Sequence, residues 1–243
     1  MNKLLVLFSG TGSGERTCKD YNYECRGVEI VSKYNPYYNV DILKWDYKNE
    51  LKEWIPDVIH SSPVCKEYSR LKQDKNRDLT LGNNLFDKSI EIIKYCLKLN
   101  PNLIYTIENP KNKFFLNKIN KSLNNPIIHL TSYCKYGFKY KKDTYIVSNV
   151  KLFIKHHCCS KNKCKMVKED GCHYVRIGVS RKSKTHFLTN DKQIPDSEYY
   201  RYIRDNIMLK EERRIIYNNQ SLRYRIPQLL IEDIIWSIKN KLL

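Results

Sequence analysis

The chain opens on a short apolar run, residues 3–8, that stops at Ser9-Gly10-Thr11-Gly12-Ser13. An unbroken apolar stretch of that length, ended by a glycine-rich turn, predicts a buried strand with a helix after it. Residues 25–31 supply a second strand and residues 40–43 a short third one. The run 54–60 rises into a fourth strand that ends at Ser61-Ser62-Pro63. Leu85, Ile90, Ile92, Ile93 and Leu97 recur at helical spacing and predict a helix over 84–99. Residues 103–107 form a β-rich run that ends at Glu108-Asn109-Pro110. Alternation of strand and helix predicts an α/β fold, a doubly wound sheet with its functional loops at the carboxyl ends of the strands.

Beyond about residue 150 the pattern changes. Residues 156–173 are rich in Cys and His and basic, and 180–198 read as loop. The chain then closes on Ile226-Pro227 and an amphipathic helix carrying Leu229, Leu230, Ile234, Ile235 and Ile238. No internal repeat is visible. The organisation expected is a catalytic domain over 1–150, a small basic insert over 151–205, and a segment over 206–243 whose helix returns to the first domain.

Composition narrows the partner. The 243 residues carry 44 Lys plus Arg against 26 acidic residues, a formal charge of +18 that favours a polyanion over a small acidic substrate. There is no alanine, and Lys, Asn, Ile and Tyr are crowded, so part of the lysine excess follows from AT-rich coding. No apolar run is long enough to span a bilayer, and the amino terminus lacks a secretory pattern. Nine cysteines in such a chain read as thiols, a nucleophile or metal ligands in a reducing compartment. An intracellular monomer is expected, in the cytoplasm or nucleus of a host cell if the source is viral, with no membrane partner.

Five strand ends carry candidate chemistry. The turn at residues 8–12 lets backbone approach a nucleotide-like ligand, although such turns are as often structural. Glu29 ends the second strand, where a carboxylate can take a ribose hydroxyl pair, and Asp41 sits similarly one strand later. Cys65 lies just beyond a buried strand in a polar loop, a position that suits an exposed nucleophile. Glu108 supplies a carboxyl at the end of the next strand.

Taken in this order, the motifs resemble those of the cytosine-5 DNA methyltransferase family, in its compact phage and large-virus type. Leu7-Phe8-Ser9-Gly10-Thr11-Gly12-Ser13 resembles the family's first, S-adenosylmethionine-binding motif, and Pro63-Val64-Cys65-Lys66-Glu67-Tyr68-Ser69 its nucleophile loop. Glu108-Asn109-Pro110 is similar to its Glu-Asn-Val motif. Tyr133-Cys134-Lys135-Tyr136-Gly137-Phe138, followed by 141–149, resembles its later basic motif, and Tyr224-Arg225-Ile226-Pro227 its final one.

The resemblance implies a Rossmann-like methyltransferase sheet and a definite chemistry. Cys65 attacks carbon 6 of a flipped cytosine and Glu108 holds and protonates ring nitrogen 3. S-adenosylmethionine is the implied cofactor, held by Phe8, Ser9, Gly10, Thr11, Gly12, Glu29, Ile30, Asp41, Ile42 and Pro63. Nucleic-acid contacts are implied for Lys66, Ser69, Arg70, Lys141, Tyr145, Arg176 and Arg181. Lys66 and Arg70 are read first as phosphate contacts or solvated charges, and after that as cations that favour the thiolate.

The chain departs from the pattern at several places. Val64 stands where proline ordinarily precedes the nucleophile, and Val6 where an acidic residue is common. Tyr145 occupies the place expected for an arginine on the cytosine carbonyl, and Tyr224 that of the final motif's asparagine. Cys159, Cys164, Cys172 and His173 fall in the basic insert, where a structural zinc would replace a core too small to form. A thiol-rich loop whose residues never converge is the equal alternative. Three functions stay open: a DNA methyltransferase, an RNA methyltransferase, and a nucleic-acid binder without turnover.

Overall fold

The structure, a computed structural model, describes residues 2–68, 78–136, 141–155 and 226–242. Its elements in chain order are β1 (Asn2–Leu7), α1 (Ser13–Asp20), β2 (Tyr23–Glu29), β3 (Tyr38–Asn39), α2 (Tyr47–Glu53) and β4 (Val58–Ser61). They continue with α3 (Leu79–Leu99), β5 (Ile104–Pro110), α4 (Lys113–Ser122), β6 (Ile127–Ser132), β7 (Asp143–Ser148) and α5 (Gln228–Leu242). One seven-stranded sheet runs in the order β3-β2-β1-β4-β5-β7-β6. The five strands from β3 to β5 are parallel, and β7 runs antiparallel to both β5 and β6. The mixed α/β fold is therefore a Rossmann-like sheet closed at one side by an antiparallel pair.

Alternation along β1 shows why both faces are covered. Leu5 and Leu7 point into a core built with α2, α3 and α4, together with Val28, Ile59, Ile107, Phe86, Ile92 and Phe115. Leu4 and Val6 point the other way, into a second core with Val58, Ile104, Ile146 and the α5 residues Leu230, Ile231, Ile234, Ile235 and Ile238. A central parallel strand buried on both faces reads as a continuous apolar run, which is how residues 3–8 look in sequence. The carboxyl-terminal helix thus packs back on the sheet beside α1, and Leu152 joins the same core.

Several sequence expectations shift. The third strand is Tyr38–Asn39, paired through Val28 and Glu29, and not residues 40–43. Asp41 explains the break: its side chain accepts from Leu43 N at 3.0 Å and its carbonyl from Lys44 N at 2.9 Å, which folds 41–44 into a turn. The fourth strand begins only at Val58, because Trp54 closes α2 and its indole N–H donates to Glu24 Oε1 at 2.6 Å. Helices α2 and α4 and strand β6 escaped the pattern reading. α2 buries only Tyr47 and Leu51, α4 only Phe115 and Ile119, and Ile127 and Ile128 are exposed on the edge strand. Asp46 and Asn112 cap the two helices, accepting from Asn49 N and Phe115 N.

Among the described residues no helix is long and apolar enough to cross a membrane. Residues 156–225, which include the expected insert with Cys159, Cys164, Cys172, His173, Arg176 and Arg181, lie outside the described residues. So do Ser69, Arg70 and Tyr224.

Candidate active site

The sheet order reverses at β1, which has β2 on one side and β4 on the other. Ligands of open α/β sheets bind outside the carboxyl ends of strands at such a switch point. The loops that follow β1, β4 and β5 all emerge there, in register. Leu7 pairs with Ser61, Ser61 pairs with Ile107, and Ser62 N donates to Leu7 O at 3.2 Å.

The turn after β1 holds three left-handed residues, Phe8 at φ 59°, Gly10 at 54° and Gly12 at 71°. Glycine takes this conformation freely, whereas for Phe8 it is strained, and strain of this kind collects at functional sites. Open space lies where a Cβ on Gly10 would project. Glu29, at the end of β2, accepts from Gly10 N at 2.9 Å and Val31 N at 3.1 Å, so its carboxylate fixes the turn from the side. Ile30 beside it is 63% exposed, an apolar surface next to a carboxylate and a bare backbone turn. Together these fit an adenosine-like group with a hydroxyl pair. Glu15 lies behind the turn against Gly27, and burial raises its pKa. Thr11 and Ser13 join hydroxyls at 3.1 Å, and Thr11 O accepts from Arg16 at 2.6 Å.

One of the cofactor assignments sits differently from expectation. Ile42 is only 5% exposed and belongs to the core between sheet and helices, so it offers no surface to a ligand. Asp41 spends one carboxylate oxygen on Leu43 N. Pro63 is buried, and its carbonyl accepts from Asn109 Nδ2 at 3.1 Å, tying the nucleophile loop to β5.

Cys65 and Glu108 come together. Both Glu108 oxygens are engaged: Ser62 Oγ donates to Oε2 at 2.6 Å and the Tyr133 hydroxyl donates to Oε1 at 2.9 Å. Lys142 Nζ lies 3.6 Å from Oε1, donates to the Tyr133 hydroxyl at 3.1 Å, and rides over that ring at 4.2 Å from its centre. Burial pushes the Cys65 thiol up; the Lys142 ammonium pulls it down and the Glu108 carboxylate pushes it up again. The thiol therefore feels both charged groups, and a thiol, a carboxylate and a cation lie together at the ends of β4 and β5.

Lys142 corrects the reading of the basic motif. Tyr145 pairs with Asn109 on the far side of β7 and its ring stacks on Phe115 at 6.5 Å, packed against the core under α3 and α4. Ile146, the cross-strand partner of Glu108, faces the opposite core. A β-strand alternates its side chains, so Tyr145 is turned away from Glu108 and the positive charge beside the carboxylate comes from Lys142. Lys141 is exposed and pairs with Asp143 at 3.5 Å. Lys66 begins a 3-10 turn, Lys66–Tyr68, whose Tyr68 hydroxyl donates to Asn83 at 2.9 Å. Ser62, Tyr133 and Lys142 were missed as site residues. The signal for Lys142 was the Lys-Lys-Asp step before β7, legible only once β7 is known to lie antiparallel to β5.

No protein-family model matches the chain. A protein of Frog virus 3 (isolate Goorha), named "Probable DNA (cytosine-5)-methyltransferase", is 29% identical over 176 residues, 67% of this chain and 77% of that protein. The resemblance to cytosine-5 DNA methyltransferases is thereby shown. Two solved structures are also similar. One, an E. coli protein named "putative DNA modification methyltransferase encoded within prophage Cp-another structure", has 17% identity and a TM-score of 0.47, covering 64% of this chain and 49% of that one. The other, a mutant of Spodoptera frugiperda DNMT2, has 21% identity and a TM-score of 0.43, covering 65% of this chain and 53% of that one. The chain spans about half the length of these two solved proteins. Among the described residues no group of three or more His, Cys, Asp or Glu side chains is placed to hold a metal ion.

Proposed function

We propose that the chain transfers a methyl group from S-adenosylmethionine to carbon 5 of cytosine in DNA, through a covalent intermediate on Cys65. The observation that carries this reading is the convergence of Cys65, Glu108 and Lys142 at the carboxyl ends of β4 and β5, beside the left-handed turn after β1. The name of the Frog virus 3 relative supports DNA as the substrate.

S-adenosylmethionine, when bound, supplies the methyl group as an electrophile. The residues that fit it are Gly10, beside which open space lies, Glu29 for the ribose hydroxyls and the exposed Ile30 for the adenine. In the reaction the Cys65 thiolate forms a bond to carbon 6 of the flipped base, and Glu108 delivers a proton to nitrogen 3 so that the ring does not carry the charge. Carbon 5 thereby becomes an enamine carbon and takes the methyl group. The carbon-5 proton then leaves to water, the bond from sulfur to carbon 6 breaks, and the nitrogen-3 proton returns to Glu108. Before attack, the Lys142 ammonium favours the reactive anion of the thiol.

Incubation with S-adenosylmethionine and DNA containing 5-fluorocytosine tests the reading, because fluorine at carbon 5 cannot leave as a proton and the adduct persists. A denaturation-resistant adduct is expected from the wild type and none from Cys65→Ser. Adduct with an RNA pool and not with DNA moves the substrate to RNA. Absence of adduct from both pools overturns the reading.

A further inference from the structure

Tyr133 has no part in the chemistry above, yet it is fully buried with its hydroxyl in the middle of the site. It opens the 3-10 turn Tyr133–Tyr136 after β6, and its backbone N–H donates to Lys142 O at 3.1 Å. The two residues are thus locked together at the start of β7. The phenol accepts from Lys142 Nζ at 3.1 Å and donates to Glu108 Oε1 at 2.9 Å, whereas the direct distance from Lys142 to Glu108 is 3.6 Å. The ammonium reaches the carboxylate through the tyrosine.

This geometry sets a demand. Both oxygens of Glu108 accept hydrogen bonds, from Ser62 and Tyr133, so a proton handed on through the carboxyl reaches it along one of these two hydroxyls. Nitrogen 3 of the base needs that proton. Of the two hydroxyls on Glu108, an aliphatic alcohol is a far weaker acid than a phenol, whose ordinary pKa is about 10, close to the value of about 10.4 for a lysine ammonium. Only the phenol is matched to a donor that can replenish it.

Resting on the methyl-transfer reading, we propose that Tyr133 is a positioning residue that relays the proton between Lys142 and Glu108. On attack by Cys65 a proton passes from Nζ to the phenol oxygen, the phenol proton passes to Oε1, and the Glu108 proton passes to nitrogen 3. One proton has then moved from the ammonium to the base while the bond from sulfur to carbon 6 forms. On elimination each transfer reverses, so the site ends with its original protons and needs no outside acid. A tyrosine needed only to fill the core would be replaced by phenylalanine without effect on this step.

Two covalent probes separate the roles. A 5-azacytosine ring is electron-poor at carbon 6 and accepts a thiolate with little help at nitrogen 3, whereas 5-fluorocytosine needs that help. Against the wild type, Tyr133→Phe is expected to slow adduct formation on 5-fluorocytosine DNA by about 100-fold, and on 5-azacytosine DNA by less than about fivefold, the size of effect a positioned acid supplies. Lys142→Arg keeps the charge on Cys65 but cannot give up a proton, so it is expected to show the same split. It carries the test if Tyr133→Phe does not melt cooperatively. Equal slowing on both probes, or on neither, overturns the relay. A wild type that forms no adduct with either probe overturns the methyl-transfer reading and the relay with it, a result distinct from an active wild type that its variants match.

Discussion

Ser62 Oγ donates to Glu108 Oε2 at 2.6 Å, a bond that joins the loop after β4 to the end of β5, 46 residues further along the chain. It holds one oxygen of the carboxylate while Tyr133 holds the other, so the carboxyl plane has no freedom to turn. The nucleophile loop and the acid are fixed to each other by this contact and by the bond from Asn109 to the Pro63 carbonyl.

Ser62→Ala removes one of the two donors that orient Glu108. A hydrogen bond to a charged group contributes about 1.5–3 kcal/mol, so methyl transfer is expected to fall by about 10- to 100-fold with S-adenosylmethionine binding unchanged. Single-turnover methylation and calorimetric titration of the cofactor read the two quantities separately. A parallel loss of cofactor affinity would show instead that the loop itself had moved.

Lys142→Met is expected to push the alkaline limb of the Cys65 reaction to higher pH. Burial already raises the thiol above its ordinary value, Lys142 opposes that rise, and Glu108 adds to it. Only the thiolate attacks, so the adduct rate climbs with pH until the thiol is ionised. Loss of the ammonium delays that point, and below it each unit costs about tenfold in rate. Adduct rates on 5-azacytosine DNA across pH 6 to 10 measure the shift. An unmoved limb would mean that Lys142 does not tune the thiol.

His60 couples acid to the seat of the terminal helix. It is buried on β4, its Nδ1 lies 2.8 Å from Thr106 Oγ1, and its Nε2 has no hydrogen-bond partner among the described residues. It borders a cavity of about 20 Å³ lined also by Val6, Cys18, Ile231, Ile234 and Ile235, between the sheet, α1 and α5. Burial lowers its pKa to about 4, and the Glu108 charge opposes that shift. The folded value lies below the ordinary one of about 6.5, so the unfolded chain takes up the proton first. Stability from this site is complete above pH 6.5, declines as pH falls from 6.5 to 4, and levels off below. The loss reaches about 3 kcal/mol. Urea unfolding of the wild type and His60→Gln should diverge over that window, and parallel curves would remove His60 as the cause.

How much of this was legible in sequence depends on where the information lies. Strands β1, β4 and β5 are buried on both faces, so their apolar runs stand out and the three chemical loops are found with them. Cys65 and Glu108 follow from that order. Edge elements were harder: Tyr38–Asn39 buries one residue, and the turn at 41–44 is made by a single Asp41 side chain. The roles of Lys142 and Tyr133 could not be read at all, because they depend on β7 running antiparallel to β5 and on which side of that strand each residue points. Tyr145 was misassigned for the same reason. One step in a strand with a period of two carries a side chain to the opposite face.

Gly82 in α3 sets how closely the nucleophile loop can approach. A Cβ there would lie 3.1 Å from Glu67 Cβ and 3.4 Å from the end of the Tyr68 ring. Both neighbours are held: Glu67 Oε2 accepts from Asp78 N at 2.7 Å, and Tyr68 packs on Phe114 with ring centres 4.8 Å apart while its hydroxyl bonds to Asn83. Gly82→Ala therefore pits two effects against each other. Alanine in a helix interior is favoured over glycine by about 1 kcal/mol, so melting should not fall. The loop carrying Cys65 must retreat by a few tenths of an ångström, and misplacement of a reacting group by about 1 Å costs about 100-fold, so methyl transfer is expected to drop by about tenfold. Thermal melting and adduct rate, measured on the same sample, should move apart. A variant that melts normally and reacts at the wild-type rate would show that Glu67 and Tyr68 yield without moving Cys65.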